Sequence, residues 1–317
     1  MAAGEGRAET ILRVGTRGSP LALAQAHELR RRLAAAHEAL ARPGAIAIEI
    51  IKTTGDRVQD RALAEIGGKG LFTKEIEEAL IDGRIDLAVH SMKDLETRLP
   101  PGLTIGAMLP REDPRDVLIA REGTSIATLP KGAVVGTASL RRQAQIRAQR
   151  PDLSVVTFRG NVGTRLQKLK EGQVDATLLA LAGLRRLAME DRATAVLSID
   201  EMLPAVGQGA IGVEMRRDDV RAQGWLEALD HRETSLAVVA ERACLSVLDG
   251  SCRTPIAAHA TLARDRLRLQ ALVALPDGSE CHRETIEGPA GDAERLGREA
   301  GEALRRRAGP AFFAKLA

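Results

Sequence analysis

The residue best placed for chemistry is Asp94, which closes the run His90-Ser91-Met92-Lys93-Asp94. The apolar stretch Ile85–His90 before it reads as a strand. Ligands of parallel sheets gather beyond the carboxyl ends of the strands. A carboxylate there, beside Lys93 and His90, suits acid–base work or stabilisation of a cation. A turn aspartate or helix N-cap would look the same locally. The second concentration of chemistry is Ser139–Lys168, where Arg141, Arg142, Arg147, Arg150, Arg159, Arg165 and Lys168 face one acid, Asp152, for a local net charge of +6. Arg141 and Arg142 fall in the first turn of a helix begun at Ser139. Cations there oppose the helix dipole, while the free amides of that turn attract an anion. Arg159-Gly160-Asn161-Val162-Gly163 follows a strand over Leu153–Phe158 and repeats the arrangement. Guanidinium forks grip carboxylates and phosphates in pairs of bonds. Two such junctions point to a polyanionic ligand rather than a solvated basic face.

Other motifs are weaker. Cys252 lies in the turn-forming stretch Asp249-Gly250-Ser251-Cys252-Arg253-Thr254-Pro255, and Arg253 would favour its thiolate. On these grounds alone it is an incidental loop cysteine or a reactive one. Gly67-Gly68-Lys69-Gly70 lacks the Ser or Thr of a phosphate-binding loop and is either a plain connector or a mobile loop with exposed amides. Gly207-Gln208-Gly209-Ala210-Ile211-Gly212 has the glycine spacing of a dinucleotide fingerprint. Its continuation Ile211–Met215 alternates like a strand, so a backbone crossing or hinge is expected instead. The six histidines and three cysteines form no metal-ligand spacing, and no metal is expected.

The elements that must position these residues alternate strand and helix: Ile11–Val14, Leu21–Leu33, Ile46–Ile51, Lys74–Ile81, Ile85–His90. That pattern means a mostly parallel sheet. Ser19 and Pro20 are a good N-cap and first helical residue. Val14-Gly15-Thr16 is echoed by Val135-Gly136-Thr137, and Asp82–Leu87 by Glu171–Ala176, which suggests two domains of like topology. The stretch Leu109–Asp116 is the first crossover. From about Thr254 the texture changes to strands over Ile256–Leu262, Leu267–Leu275 and Cys281–Ile286, with a turn at Pro276–Gly278 and a helix over Ala293–Arg307. This is a third, smaller domain.

Composition narrows the function classes. The chain has 317 residues and a formal net charge of +3, so it is no bulk polycation. Four Phe, one Trp and no Tyr argue against stacking on single-stranded nucleic acid. No apolar run reaches the ~20 residues of a membrane span, and residues 1–10 lack the apolar core of a signal peptide. An odd number of cysteines without close pairing suits a reducing compartment. A cytoplasmic protein without nucleic-acid or membrane partners is expected.

Taken together, the motifs resemble the porphobilinogen deaminase (hydroxymethylbilane synthase) family from about Arg13 to the end. The carrying segments include Thr16–Leu23, Gly67–Phe72, His90–Asp94, Arg111–Asp116, Gly136–Arg142, Arg159–Arg165, Pro204–Ala210 and Gly250–Cys252. The resemblance implies two periplasmic-binding-protein-like α/β lobes plus a small α/β third domain. The implied bounds are 1–109 with 204–228, 110–203, and 229–317. It also implies a transferase that joins four porphobilinogen molecules head to tail, losing ammonia each time, to give hydroxymethylbilane. The implied cofactor is a dipyrromethane primer, thioether-linked to Cys252. Asp94 then matches the family's catalytic aspartate, which holds pyrrole N–H groups and stabilises the cation left by ammonia. Lys93, Ser139, Arg141, Arg142 and Gly160 match cofactor-binding positions. Arg17, Ser19, Arg159, Arg165 and Arg186 match substrate-binding ones, and Gly67, Gly68, Lys69, Gly70 and Phe72 match a mobile loop. Each pyrrole carries an acetate and a propionate, so six rings place twelve carboxylates in one cleft. Arginines that stay protonated at any working pH answer that charge. A monomer is implied, with hand-over of product to the next tetrapyrrole enzyme. The chain departs from the common pattern at Leu95-Glu96, Glu65, Ser251 and Arg253, which touches loop contacts rather than chemistry. Two other readings share some of these features. A non-catalytic anion-binding protein would need no cysteine loop, and a nucleic-acid binder fits poorly with the few aromatics.

Overall fold

The computed structural model describes residues 10–57, 70–248 and 254–316. In chain order these form β1 (Leu12–Thr16), α1 (Pro20–Ala36), β2 (Ile46–Ile50), α2 (Thr54–Arg57), α3 (Lys74–Ile81), β3 (Leu87–Ser91), β4 (Leu103–Met108), β5 (Asp116–Ala120), β6 (Val134–Gly136), α4 (Leu140–Gln149), β7 (Ser154–Val156), α5 (Val162–Lys170), β8 (Ala176–Ala180), α6 (Leu181–Arg186), β9 (Ala195–Val196), β10 (Ile211–Arg216), α7 (Val220–Leu226), α8 (Arg232–Val247), β11 (Ile256–Ala263), β12 (Arg266–Ala274), β13 (Cys281–Pro289) and α9 (Ala293–Ala314). The contacts divide them into two units. The first holds 10–57, 70–110 and 211–232, and the second holds 111–210 and 233–316.

The first unit is built on a five-stranded sheet of order β2-β1-β3-β10-β4. Strands β2, β1 and β3 are parallel, and β10 runs antiparallel to both neighbours. Leu12 and Val14 alternate inward from β1. α1 meets them with Ala26, Leu29 and Leu33, all fully buried, at the three-and-four spacing of one helix face. Ser19 caps α1 by accepting from the Ala22 amide at 3.3 Å, as its residue type predicts. The other face of the sheet buries Ile76, Ala79 and Leu80 of α3. The single tryptophan, Trp225 of α7, meets His37 edge-on at 4.8 Å between ring centres, and its carbonyl lies 2.8 Å from His37 Nε2.

The second unit repeats the plan. Its sheet has order β7-β6-β8-β5-β9, with β7, β6 and β8 parallel and β5 antiparallel. β6 therefore stands where β1 stands, and β8 where β3 stands. The two short sequence echoes fall on these equivalent strands. In each sheet the antiparallel strand comes from elsewhere in the chain: β5 precedes the rest of its sheet, and β10 follows the whole of the other one.

The second unit also contains the meander β11-β12-β13. One face, with Leu267, Leu269, Ala271 and Val273, packs on α8 and α9. The other face sets Ala257, Leu272 and Ala274 against Ala144 of α4 and Leu203. The β12–β13 turn reaches the same helix, where Gln143 Nε2 donates to the Pro276 carbonyl at 3.1 Å. The strand expected over 153–158 is shorter, 154–156. The last helix is longer than expected and continues past a kink at Gly309-Pro310. The fold class is thus the one the sequence indicates: mixed α/β, two like sheets and a small third one.

The glycines at 207 and 209 serve a backbone crossing, as expected. Gly209 has φ +87°, and a Cβ there would sit 2.3 Å from the Glu112 carbonyl oxygen. No side chain fits between these two segments. Gln208 then turns inward and donates to Pro114 O at 2.7 Å and to Asp116 Oδ1 at 2.9 Å.

Candidate active site

In the first unit, β3 ends at Ser91 and a single 3-10 turn, Met92–Asp94, follows. That turn lifts Asp94 out of the sheet, and its side chain is exposed. Asp94 lines an open pocket together with Arg17, Ser19, Phe72, His90 and Ser91. Arg17 lies over the Phe72 ring at 4.2 Å and reaches Asp56 through Nε at 3.1 Å and through Nη2. Burial pushes the Asp56 carboxyl up, but hydrogen bonds from Arg17 and Thr53 outweigh it and hold it below its ordinary value. The Nε and Nη2 edge of Arg17 is thus taken by Asp56, and stacking on Phe72 fixes the plane of the guanidinium. Ser19 is committed to its cap through one lone pair and keeps its O–H for a ligand. Lys93 occupies the middle of the 3-10 turn. His90, placed beside Asp94 by sequence, is instead buried, with Nε2 2.9 Å from Glu214 Oε2. The Gly70 amide, at φ +72°, donates to Glu96 Oε1 at 2.6 Å. Glu96, a departure from the common pattern, thus holds backbone next to the pocket.

In the second unit, Ser139 caps α4 by accepting from the Arg142 amide at 3.4 Å. Arg141 and Arg142 are 5% and 6% exposed, so these two belong to no solvated face. Both reach Asp116 at the start of β5, Arg141 Nη1 at 2.8 Å and Arg142 Nη2 at 2.7 Å. Arg141 also donates to Leu203 O and Arg142 to Leu178 O. Burial pushes the Asp116 carboxyl up, yet the two guanidinium charges hold it well below the usual carboxylate range. This counter-ion removes much of the dipole conflict inferred from sequence. The Nε of each arginine is buried with no acceptor among the described residues. Arg159 lies just before α5, and Lys168 Nζ donates to its carbonyl at 3.2 Å. Gly160, at φ +130°, turns the chain so that its carbonyl accepts from Arg165 Nε at 2.9 Å. Burial, then the positive charges of Arg142 and Arg159, push Arg165 down to about 10. Arg165 is still protonated at neutral pH, but in a site whose positive charge is unfavourable until an anion arrives. Arg186 Nη2 donates to Gly209 O at 2.8 Å, at the backbone crossing.

The structure thus groups Arg17, Ser19, Phe72 and Asp94 in one pocket, and Arg142, Arg159, Gly160 and Arg165 in one cationic cluster. Gly67, Gly68, Lys69 and Cys252, with Glu65, Ser251 and Arg253, lie outside the described residues. Sequence reasoning missed Asp116 and Glu214 as partners of the site. The donor set of the second unit fits a carboxylate-bearing group: buried guanidinium N–H groups with no acceptor among the described residues, and a desolvated arginine.

These features define a class, a mixed α/β protein with two like sheets, one carrying an exposed acid beside an arginine and the other a cluster of arginines. The family model described as "Porphobilinogen deaminase, dipyromethane cofactor binding domain" matches residues 12–224, and "Porphobilinogen deaminase, C-terminal domain" matches 235–306. "Porphobilinogen deaminase, chloroplastic" of Oryza sativa subsp. japonica is 58% identical over 97% of this chain and 87% of that protein. "Porphobilinogen deaminase" of Nitrobacter winogradskyi is 56% identical over 96% of each chain. That of Paracoccus denitrificans is 57% identical over 95% and 96%. The chain belongs to the porphobilinogen deaminase family, whose members are transferases.

Proposed function

We infer that the protein condenses four porphobilinogen molecules head to tail, with loss of ammonia at each step, and releases linear hydroxymethylbilane. The observation that carries this reading is an exposed carboxylate, Asp94, raised from the end of a central strand into a pocket shared with the stacked Arg17. Arg17 and the Ser19 hydroxyl bind a substrate carboxylate and orient the ring. Asp94 then accepts pyrrole N–H bonds and faces the positive charge that grows as ammonia departs. A fixed anion at that point lowers the barrier without reorganising. Lys93 sits beside it and answers a second carboxylate.

When bound, a dipyrromethane thioether-linked to Cys252 supplies the pyrrole carbon to which the first substrate is joined. Ser139, Arg141, Arg142 and Gly160 hold its carboxylates, and Arg159, Arg165 and Arg186 take those of the added rings. The protein works as a cytoplasmic monomer without nucleic-acid or membrane partners, and hands its product to the next enzyme of tetrapyrrole synthesis. Among the described residues, no helix is long and apolar enough to cross a membrane.

The test is an intact mass with peptide mapping of Cys252, before and after porphobilinogen is added. A two-pyrrole excess on that peptide is expected, and Cys252→Ser should abolish it. A Cys252→Ser protein with full turnover would refute the assignment.

A further inference from the structure

Strand β10 carries none of the residues assigned above, yet it pairs with β3, the strand that leads to Asp94. It pairs with β3 so that Ile211 faces Ser91, Gly212 faces His90 and Glu214 faces Ala88. Two contacts rise from β10 to the residues that lead into Asp94. At Gly212, a Cβ would come within 2.2 Å of Met92 Sδ. The Met92 side chain, 1% exposed, is therefore seated on bare backbone. Two positions on, fully buried Glu214 holds His90 Nε2 at 2.9 Å. Its other oxygen has no hydrogen-bond partner among the described residues. From the α1 side, Gln25 Nε2 donates to Ser91 Oγ at 2.7 Å. His90, Ser91 and Met92 are thus each gripped by a separate contact, two of them from β10.

Stability does not account for Glu214. Ile211, Val213 and Met215, which point to the opposite face of the same strand, are buried hydrophobics, and Glu214 is the strand's one buried carboxylate. A buried carboxylate–imidazole hydrogen bond is weak support for a fold, and losing one partner is expensive. Glu77 of α3 makes the arrangement costlier, because burial and then the charge of Glu214 push its carboxyl up. A costly buried group on a central strand, tied to a residue that lines the pocket, is what a preorganised site requires of its supporting residues.

We propose that Gly212 and Glu214 are positioning residues for Asp94, fixing the height and direction of the Met92–Asp94 turn through Met92 and His90. This rests on the reading of Asp94 as the catalytic residue. A methyl at 212 must displace the buried Met92 thioether; where that packed chain cannot swing aside the turn moves with it, and a displacement near 1 Å can cost about 10²-fold in rate.

The test uses purified holoenzyme whose pyrrole content is checked by mass, so that failure to load is not mistaken for slow chemistry. Gly212→Ala should lower kcat by about 10²-fold with KM for porphobilinogen little changed. Met92→Ala in the same chain should recover at least about tenfold of that loss, because it removes the clash. A merely structural role would lower the thermal midpoint and leave kcat per folded, loaded enzyme unchanged. Glu214→Gln keeps the shape and removes the charge, and should also lower kcat rather than raise KM. Wild-type turnover in Gly212→Ala, or a loss that Met92→Ala leaves untouched, would overturn the role of Gly212. Unchanged turnover in Glu214→Gln would overturn that of Glu214. Wild type and Asp94→Ala are run alongside: no porphobilinogen consumption by the first, or full turnover by the second, would overturn the functional reading and this inference with it.

Discussion

Arg111 and Glu241 meet fork to fork in the second unit, at 2.6 and 3.1 Å, with Glu241 wholly buried. The same carboxylate accepts the amides of Gly207 at 2.7 Å and Ala260 at 2.8 Å, with His259 Nδ1 at 3.6 Å. Arg111 in turn donates to Gln208 O at 2.9 Å. One side chain therefore ties the outgoing crossover, the returning crossover and the third sheet together. Removing Arg111 leaves that carboxylate buried without its main counter-charge. Arg111→Ala should cost about 3–5 kcal/mol, read as a fall in the urea midpoint at neutral pH.

The same group makes stability sensitive to acid. Burial pushes the Glu241 carboxyl up, but Arg111 and His259 outweigh it and bring it from 4.5 to about 2. Asp116 is held lower still by Arg141 and Arg142. Both folded-state values lie below the unfolded ones, so the unfolded chain binds protons first. The stabilisation is complete above the unfolded carboxylate range and is lost as pH falls from about 4.5 towards about 2. Unfolding free energy, measured by urea titration across that window, should drop steadily. Arg111→Ala should show a shallower fall, and an unchanged slope would dismiss Glu241 as a cause.

Asp94 separates chemistry from folding. Its side chain is exposed, so Asp94→Ala should leave the thermal midpoint almost unmoved, within about 0.5 kcal/mol. Turnover should fall by at least about 10²-fold, the usual cost of losing a preorganised charge. Porphobilinogen consumption by protein of verified pyrrole content decides the matter. A loss under about tenfold would remove Asp94 from a main catalytic role.

Arg165 should trade in the opposite direction. Its charge is disfavoured by burial and by Arg142 and Arg159, so Arg165→Leu should keep or raise the thermal midpoint. KM for porphobilinogen should rise by about tenfold or more, the loss expected for a charged hydrogen bond. A lowered midpoint with unchanged KM would show the arginine to be structural.

Much of the fold was legible because it is written locally. Ser19 and Ser139 announced their helices, the alternation of Ile211–Met215 announced a strand, and the echo of Val14–Thr16 at Val135–Thr137 marked equivalent strands. The place of β10 was not legible from local pattern, because nothing in its own residues says that it joins a sheet begun some 200 residues earlier. The family resemblance alone implied a return to the first lobe. The same distance hid the counter-ions. The charge count over Ser139–Lys168 found one acid, while the carboxylate that matters to Arg141 and Arg142 is Asp116, on another strand. Glu214 is 124 positions from His90 and Glu241 is 130 from Arg111. Long-range ion pairs leave no periodicity to read, so the pocket residues were visible and their supports were not.

Trp225 has a use that its packing does not suggest. The chain has one tryptophan and no tyrosine, and that tryptophan sits edge-on to His37 inside the first unit. Ultraviolet emission excited at the indole therefore reports on that unit alone. Circular dichroism averages over the whole chain. If the two units melt separately, the fluorescence and dichroism curves will part; if they coincide, one cooperative transition spans both. The chain carries its own reporter, already confined to the unit that holds Asp94.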